Sequence, residues 1–177
     1  MDVTLPAMTD LDDRRRQFVA LLTAHQGLLR KLAWAYGRSP ADRADLLQDM
    51  ALQLWAVFPQ WDAARPFATW AWRVALNVAL AGARRAAVRP AESAPASDAA
   101  LAIAACESAG PESLAIGAEL LAVLDALEPL NRALLMLTLE GLSYREIGEV
   151  LGLTESNVGV RLSRLKPRVR ALLETSS

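Results

Sequence analysis

Between Ser143 and Thr154 the chain spells out a tight turn between two helices, and few folds accommodate that arrangement. Ser143 can cap a helix from its N-terminal end, and Glu146, one turn on, can reach back to complete a capping box. Ile147, Val150 and Leu151 supply an apolar face, Gly152 suits the left-handed position that closes a helix, and Thr154 can cap a second helix after a short turn. Helices joined this way must cross closely, and Gly148 offers no bulk where such a crossing needs room. The pattern predicts a helix-turn-helix.

On the second of these helices Val158, Leu162, Leu165 and Val169 recur at helical spacing and face a core. The other side carries Asn157, Arg161, Arg164 and Arg168 at steps of three or four, so they form one stripe. From Thr154 to Arg170 the basic residues are Arg161, Arg164, Lys166, Arg168 and Arg170, and Glu155 is the only acid. Against a formal net charge of -1 for the whole chain, this local excess suits the phosphate backbone of nucleic acid. Asn and Arg can also read base edges in a major groove. A charge run alone is usually a solvated face; the capping box, short turn and small crossing residue together favour DNA binding.

A length of 177 residues gives room for one large domain or two small ones, and a hydrophobic fraction of 53% supplies the core. Alanine and leucine dominate that fraction with few β-branched runs, so an all-α fold is expected: two small helical domains joined by a flexible linker. Cys106 is the one cysteine, which excludes an intramolecular disulfide and a cysteine-cluster zinc site and fits a reducing cytoplasm. Asp2, Asp10, Asp12 and Asp13 make the N-terminus unlike a signal peptide, and no apolar run approaches the roughly 20 residues that span a bilayer. Residues 1–13 are expected to be a disordered leader.

The first domain is expected over 14–86. Phe18, Leu21, Leu22, His25, Leu28, Leu29, Leu32, Ala33 and Tyr36 predict one long amphipathic helix stopping at Gly37, with His25 as a packed residue. Ser39 and Pro40 restart the chain as a second helix, with Leu46, Leu47, Met50, Leu54 and Val57 inward and Asp42, Asp45, Gln48, Asp49 and Gln53 outward. That acidic face reads as a solvated or partner-binding surface, since one helix face converges too few ligands for a metal. A loop bracketed by Pro59 and Pro66 carries Trp61 and Arg65 and leads to a third helix. There Phe67, Trp70, Ala71, Val74, Val78 and Ala81 are the core stripe, and Thr69, Arg73, Asn77 and Arg84 the polar one. Arginines beside aromatics suit a single-strand or phosphate-tracking surface, and periodicity leaves Trp61 and Trp72 open between core and stacking platform. Residues 87–111, rich in alanine, serine and proline, read as the linker, and 112–177 as the second domain, in which helices end near Pro129 and at Gly141 before the helix-turn-helix.

Two separated sets of motifs, in order, resemble a bacterial RNA polymerase sigma factor of the extracytoplasmic-function group. The first half matches the family's promoter-melting domain through Ala44-Asp45-Leu46-Leu47-Gln48-Asp49, through Phe67-Ala68-Thr69-Trp70, and through Arg73-Val74-Ala75-Leu76-Asn77-Val78-Ala79 with Arg84-Arg85. The second matches its minus-thirty-five-binding domain through Leu127-Glu128-Pro129-Leu130, Gly141-Leu142-Ser143-Tyr144-Arg145-Glu146-Ile147 and Arg161-Leu162-Ser163-Arg164. The resemblance implies that Asp45, Leu46, Gln48 and Asp49 dock on core RNA polymerase. It implies that Trp61, Arg65, Thr69, Trp72, Arg73, Asn77 and Arg84 meet the minus-ten element, where a base extruded from the stack is held as the strands open. Thr154, Ser156, Asn157, Val160, Arg161 and Arg164 would meet the minus-thirty-five element of promoter DNA. An anti-sigma factor is a further implied partner. Nucleotide chemistry belongs to the polymerase, so no catalytic residue, cofactor, metal or membrane insertion is expected, and the location is cytoplasmic.

The chain departs from the family in two places. Gly159 stands where a basic or polar residue is common, which removes one base contact and weakens the helix by roughly 1 kcal/mol relative to alanine. Pro167 has no N–H to give Ser163 and is expected to kink or end the recognition helix, making Arg168 and Arg170 weaker candidates than Arg161 and Arg164. The chain ends soon after the second domain, so no C-terminal sensing extension is expected. The competing readings are a stand-alone helix-turn-helix regulator, which leaves the acidic helix and the tryptophan loop unexplained, and a helical adaptor with a merely solvated basic face. An enzyme lacks support: there is no Gly-rich phosphate loop and only one histidine.

Overall fold

The computed structural model describes residues 7–87 and 119–176, and their side chains over 11–85 and 119–174. The linker 87–111 and Cys106 lie outside the described residues, apart from Ala87 at the end of a helix. The described residues form helices and no strand: α1 (Ala7–Ala24), α2 (Gln26–Tyr36), α3 (Pro40–Val57), a 3-10 turn (Phe58–Gln60), α4 (Phe67–Ala87), α5 (119–125), α6 (Pro129–Leu139), α7 (Tyr144–Leu151) and α8 (Glu155–Ser176).

Local signals set several of these ends. Ser39 is extended and its hydroxyl accepts from the Asp42 N–H at 3.0 Å, with Pro40 in the first turn, so α3 starts where its cap is. Gly37 closes α2 by donating its N–H to the Ala33 carbonyl at 2.8 Å. The expected single helix from Phe18 to Tyr36, by contrast, is two. At His25 the backbone leaves helical geometry (φ -113, ψ 15), the imidazole Nδ1–H donates to the Leu21 carbonyl at 2.8 Å, and the ring packs on Phe67 at 5.1 Å. A side chain that takes a backbone carbonyl competes with the helix ladder, and a periodic apolar pattern does not register it. Helix α1 also begins at Ala7, inside the expected leader; within it Asp13 pairs with Arg16 one turn on, the spacing that supports an exposed helix.

The first half closes on a cluster of rings. Phe58, after α3, lies 5.1 Å from Phe18 and 5.6 Å from Trp61, and Phe67 lies 5.5 Å from Trp61 and 5.3 Å from Trp70, in tilted, edge-on and stacked pairs. Leu32, Met50, Leu54, Ala75 and Leu76 fill the space beneath. The second half buries Val123, Leu134, Leu137, Ile147, Val158 and Leu162.

The halves also touch. α4 packs against α6 and α7 as well as α2 and α3. Tyr36 at the end of α2 donates its hydroxyl to the Pro129 carbonyl at 2.8 Å. Arg132 of α6 donates to the Ala35 carbonyl and, on its own side, to the carbonyls of Asp125 at 3.2 Å and Leu127 at 3.4 Å, with its guanidinium 5.4 Å from the Tyr36 ring centre. Lys31 pairs with Glu140 nearby. Burial pushes the Tyr36 hydroxyl up, against a weaker pull from Arg132, so it stays a neutral donor.

Candidate nucleic-acid interface

Helix α7, the first of the helix-turn-helix pair, opens on reciprocal hydrogen bonds. Ser143 gives its N–H to the Glu146 carboxylate at 2.8 Å and its hydroxyl to the same oxygen at 2.7 Å, while the Glu146 N–H reaches the Ser143 oxygen at 3.3 Å. Those bonds from Ser143 hold the Glu146 carboxyl below the usual glutamate range. Gly152 adopts φ +69, the left-handed region, and α7 ends there. The Leu153 N–H returns to the Gly148 carbonyl at 2.9 Å, and a Cβ on Gly148 would lie 2.6 Å from the Leu153 carbonyl oxygen. The turn itself is what excludes a side chain at 148. Thr154 then caps α8, its hydroxyl oxygen accepting from the Asn157 N–H at 3.2 Å.

Along α8, Val158, Leu162 and Leu165 are buried and Val169 half-buried, leaving Thr154, Ser156, Asn157, Val160, Arg161 and Arg164 exposed together. Among the described residues no acid pairs with Arg161 or Arg164. The helix does not end at Pro167: α8 runs through to Ser176. Pro167 and Ser163 are both exposed, so this turn of the helix is open to water where Pro167 gives no N–H, and the Ser163 hydroxyl donates to the Val160 carbonyl at 2.8 Å. Arg168 and Arg170 therefore stay on the same helix, both exposed. Gly159 is half-buried, and a Cβ there would point at the Tyr144 ring, 3.7 Å away, instead of out along the stripe.

In the first half Arg73, Asn77 and Arg84 lie exposed along α4 and Thr69 is half-buried. Trp72 is not a platform: at 3% exposure it is core, because α4 is covered from several sides and buries Ala71, Trp72, Ala75 and Ala79 as well as Phe67. A stripe assigned from one periodic face misses a helix packed on more than one. Trp61 is half-buried in the ring cluster, stacked on Phe58, with its indole N–H buried and without an acceptor among the described residues. Beyond it the loop folds on itself, Asp62 accepting from the Ala64 N–H at 3.0 Å, and Arg65 is exposed. On α3, Asp45, Gln48 and Asp49 are exposed and Leu46 half-buried. Leu52, 57% exposed one turn beyond Gln48, extends this face with an apolar spot. A large apolar residue on a polar stripe is the signal that would have found it.

Arg65, Thr69, Trp70 and Arg73 face Ser143, Arg145, Glu146 and Glu149 across a cleft of ≈ 580 Å³. The loop and α4 surface thus looks toward α7 of the helix-turn-helix.

Taken together, a cationic recognition helix, a second polar-aromatic surface and a separate acidic helix define a helical DNA-binding protein with two heads. The family described as Sigma-70 region 2 matches residues 21–89, and Sigma-70, region 4 matches residues 117–173. The RNA polymerase sigma factor CnrH of Cupriavidus metallidurans is 30% identical over 171 residues, covering 92% of this chain and 90% of that protein. The structure of CnrH in complex with the cytosolic domain of CnrY superposes with a TM-score of 0.65 at 27% identity, over 92% of this chain and 91% of that one. The sigma factor RpoE, in complex with the anti-sigma factor NepR from Bartonella quintana, shares the fold with a TM-score of 0.64 at 18% identity, covering 93% and 99%. The chain belongs to the RNA polymerase sigma factors, in the extracytoplasmic-function group. It is a subunit that directs polymerase to promoters. No helix among the described residues is long and apolar enough to cross a membrane.

Proposed function

We propose that the chain divides promoter opening among three exposed faces. Asp45, Leu46, Gln48 and Asp49 of α3, extended by Leu52, dock on core RNA polymerase. Arg65, Thr69, Arg73, Asn77 and Arg84 track the minus-ten element, with Trp61 supporting their loop from behind and Trp72 withdrawn into the core. Thr154, Ser156, Asn157, Val160, Arg161 and Arg164 of α8 read the minus-thirty-five element. Binding the separated strand better than the duplex is what melts it, so the first head needs no chemistry of its own. The chain acts in the cytoplasm as an initiation factor without catalytic residues or cofactor, and the boundaries 14–86 and 112–177 separate its two heads. An anti-sigma protein is a second partner, supported by the complexes in which its structural relatives are found.

The observation that carries this reading is a contrast of charge within one chain. The exposed α8 stripe is cationic with no acid pairing Arg161 or Arg164 among the described residues, while the exposed face of α3 is acidic. Arg161→Ala with Arg164→Ala should abolish promoter-specific run-off transcription while polymerase capture persists. Asp45→Lys with Asp49→Lys should abolish capture itself. Retained specific transcription in the arginine variant, or retained capture in the aspartate variant, overturns the corresponding assignment.

A further inference from the structure

The recognition helix breaks its polar stripe with one aliphatic side chain. Val160 is 47% exposed, with Ser156 and Asn157 a turn before it and Ser163 and Arg164 a turn after. A single exposed valine is ordinary on a protein surface. This one lies near the N-terminal end of a helix whose first turns are the part that enters a groove. Its neighbours narrow what it can do. Ser163 has turned its hydroxyl back to the Val160 carbonyl at 2.8 Å, Thr154 is engaged as the cap of α8, and Gly159 faces Tyr144. The middle of the reading face thus offers a branched apolar group, flanked by the amide of Asn157 and the guanidinium groups of Arg161 and Arg164.

The major groove has one apolar feature to match it, the C5-methyl group of thymine. Cytosine in its place would set an N4 donor against an isopropyl group that has no acceptor, leaving that donor dry and unpaired. Resting on the promoter-reading role of α8, we propose that Val160 selects thymine at one position of the minus-thirty-five element by packing on its methyl group. Asn157, Arg161 and Arg164 read the flanking bases and phosphates.

The test uses holoenzyme assembled from the full chain and core polymerase. Active minus-thirty-five sequences are selected from a randomised promoter by run-off transcription, and each thymine of the winning duplex, on either strand, is then replaced singly by deoxyuridine, which removes only the methyl group. Binding should weaken at one position by about fourfold, the effect of one buried methyl group. In Val160→Ala that thymine-to-deoxyuridine difference should vanish while preferences at the other positions remain; circular dichroism confirms that the exposed substitution leaves the helix intact. A methyl effect of equal size in Val160→Ala, or none at any position in the parent, overturns the assignment while leaving promoter selection in place. A library that yields no enriched sequence overturns the reading role of α8 itself, and the thymine assignment with it.

Discussion

Phe58 in the first half and Gly148 in the second both stand beside a turn that closes their part of the molecule, and they are opposite in size. Around Phe58 the space is filled: rings from α1, α3, the following loop and α4 meet on it, at 5.1 Å for Phe18 and 5.6 Å for Trp61. Around Gly148 the space is absent, the Leu153 carbonyl oxygen lying 2.6 Å from where a Cβ would stand. One domain is closed by bulk gathered from distant positions, the other by a missing side chain and hydrogen bonds between near neighbours. The first arrangement depends on residues far apart in the chain, whereas the second is nearly complete within the stretch from Ser143 to Thr154.

That contrast predicts a graded series of losses. Phe58→Ala removes the centre of the ring cluster and should cost roughly 3–5 kcal/mol, read by urea unfolding; a loss under about 1 kcal/mol would mean the surrounding rings collapse into the gap. Gly148→Ala gains helix propensity of about 1 kcal/mol but drives a methyl group into a backbone carbonyl that cannot swing away, so a net destabilisation of about 1–3 kcal/mol is expected by the same assay. An unchanged midpoint would show that the turn relaxes.

Ser143→Ala strips the capping box and should cost about 1 kcal/mol. Its pH signature is specific. Because the Glu146 carboxyl is held low by Ser143, its contribution is present above the ordinary glutamate pKa and is lost as pH falls through the lowered folded value. Stability of the parent should therefore fall in acid more steeply than that of Ser143→Ala, and parallel acid limbs would remove the cap from the account. The smallest effect is expected where the halves meet. Tyr36→Phe loses one hydrogen bond, about 0.5–1 kcal/mol, and should raise the share of separated halves seen by small-angle scattering. Since burial raises the Tyr36 hydroxyl, the parent should keep this contact below the unfolded tyrosine value of about 10 and lose it only as pH rises through the folded value.

The contrast also explains which parts were legible in the sequence. Ser39, Glu146, Gly152 and Thr154 act within a turn of themselves, and their roles follow from residue type and spacing. The exposed faces of α3 and α8 follow from periodicity, since each helix is covered on one side. His25 was opaque because its ring is drawn to Phe67 from another helix while it takes the Leu21 carbonyl. Trp72 was opaque because α4 is covered from both halves of the molecule, a fact about packing that no single helical repeat encodes. Of the two outcomes expected at Pro167, a kink or an end, the end does not occur: the helix runs on to Ser176 through an exposed turn, where the lost ladder bond is least costly.

Arg132 joins the halves with a side chain that is only 14% exposed, yet its buried Nε–H finds no acceptor among the described residues. Released from the joint, that N–H would regain a hydrogen bond to solvent, so the contact is weaker than its visible bonds imply. A fastening of this kind behaves as a soft clutch. A partner that needs the halves apart binds with an affinity scaled down by the share of molecules in which they are separate, and one that grips them together gains a preformed shape. Competing partners of the same chain are then sorted by which separation each of them fits.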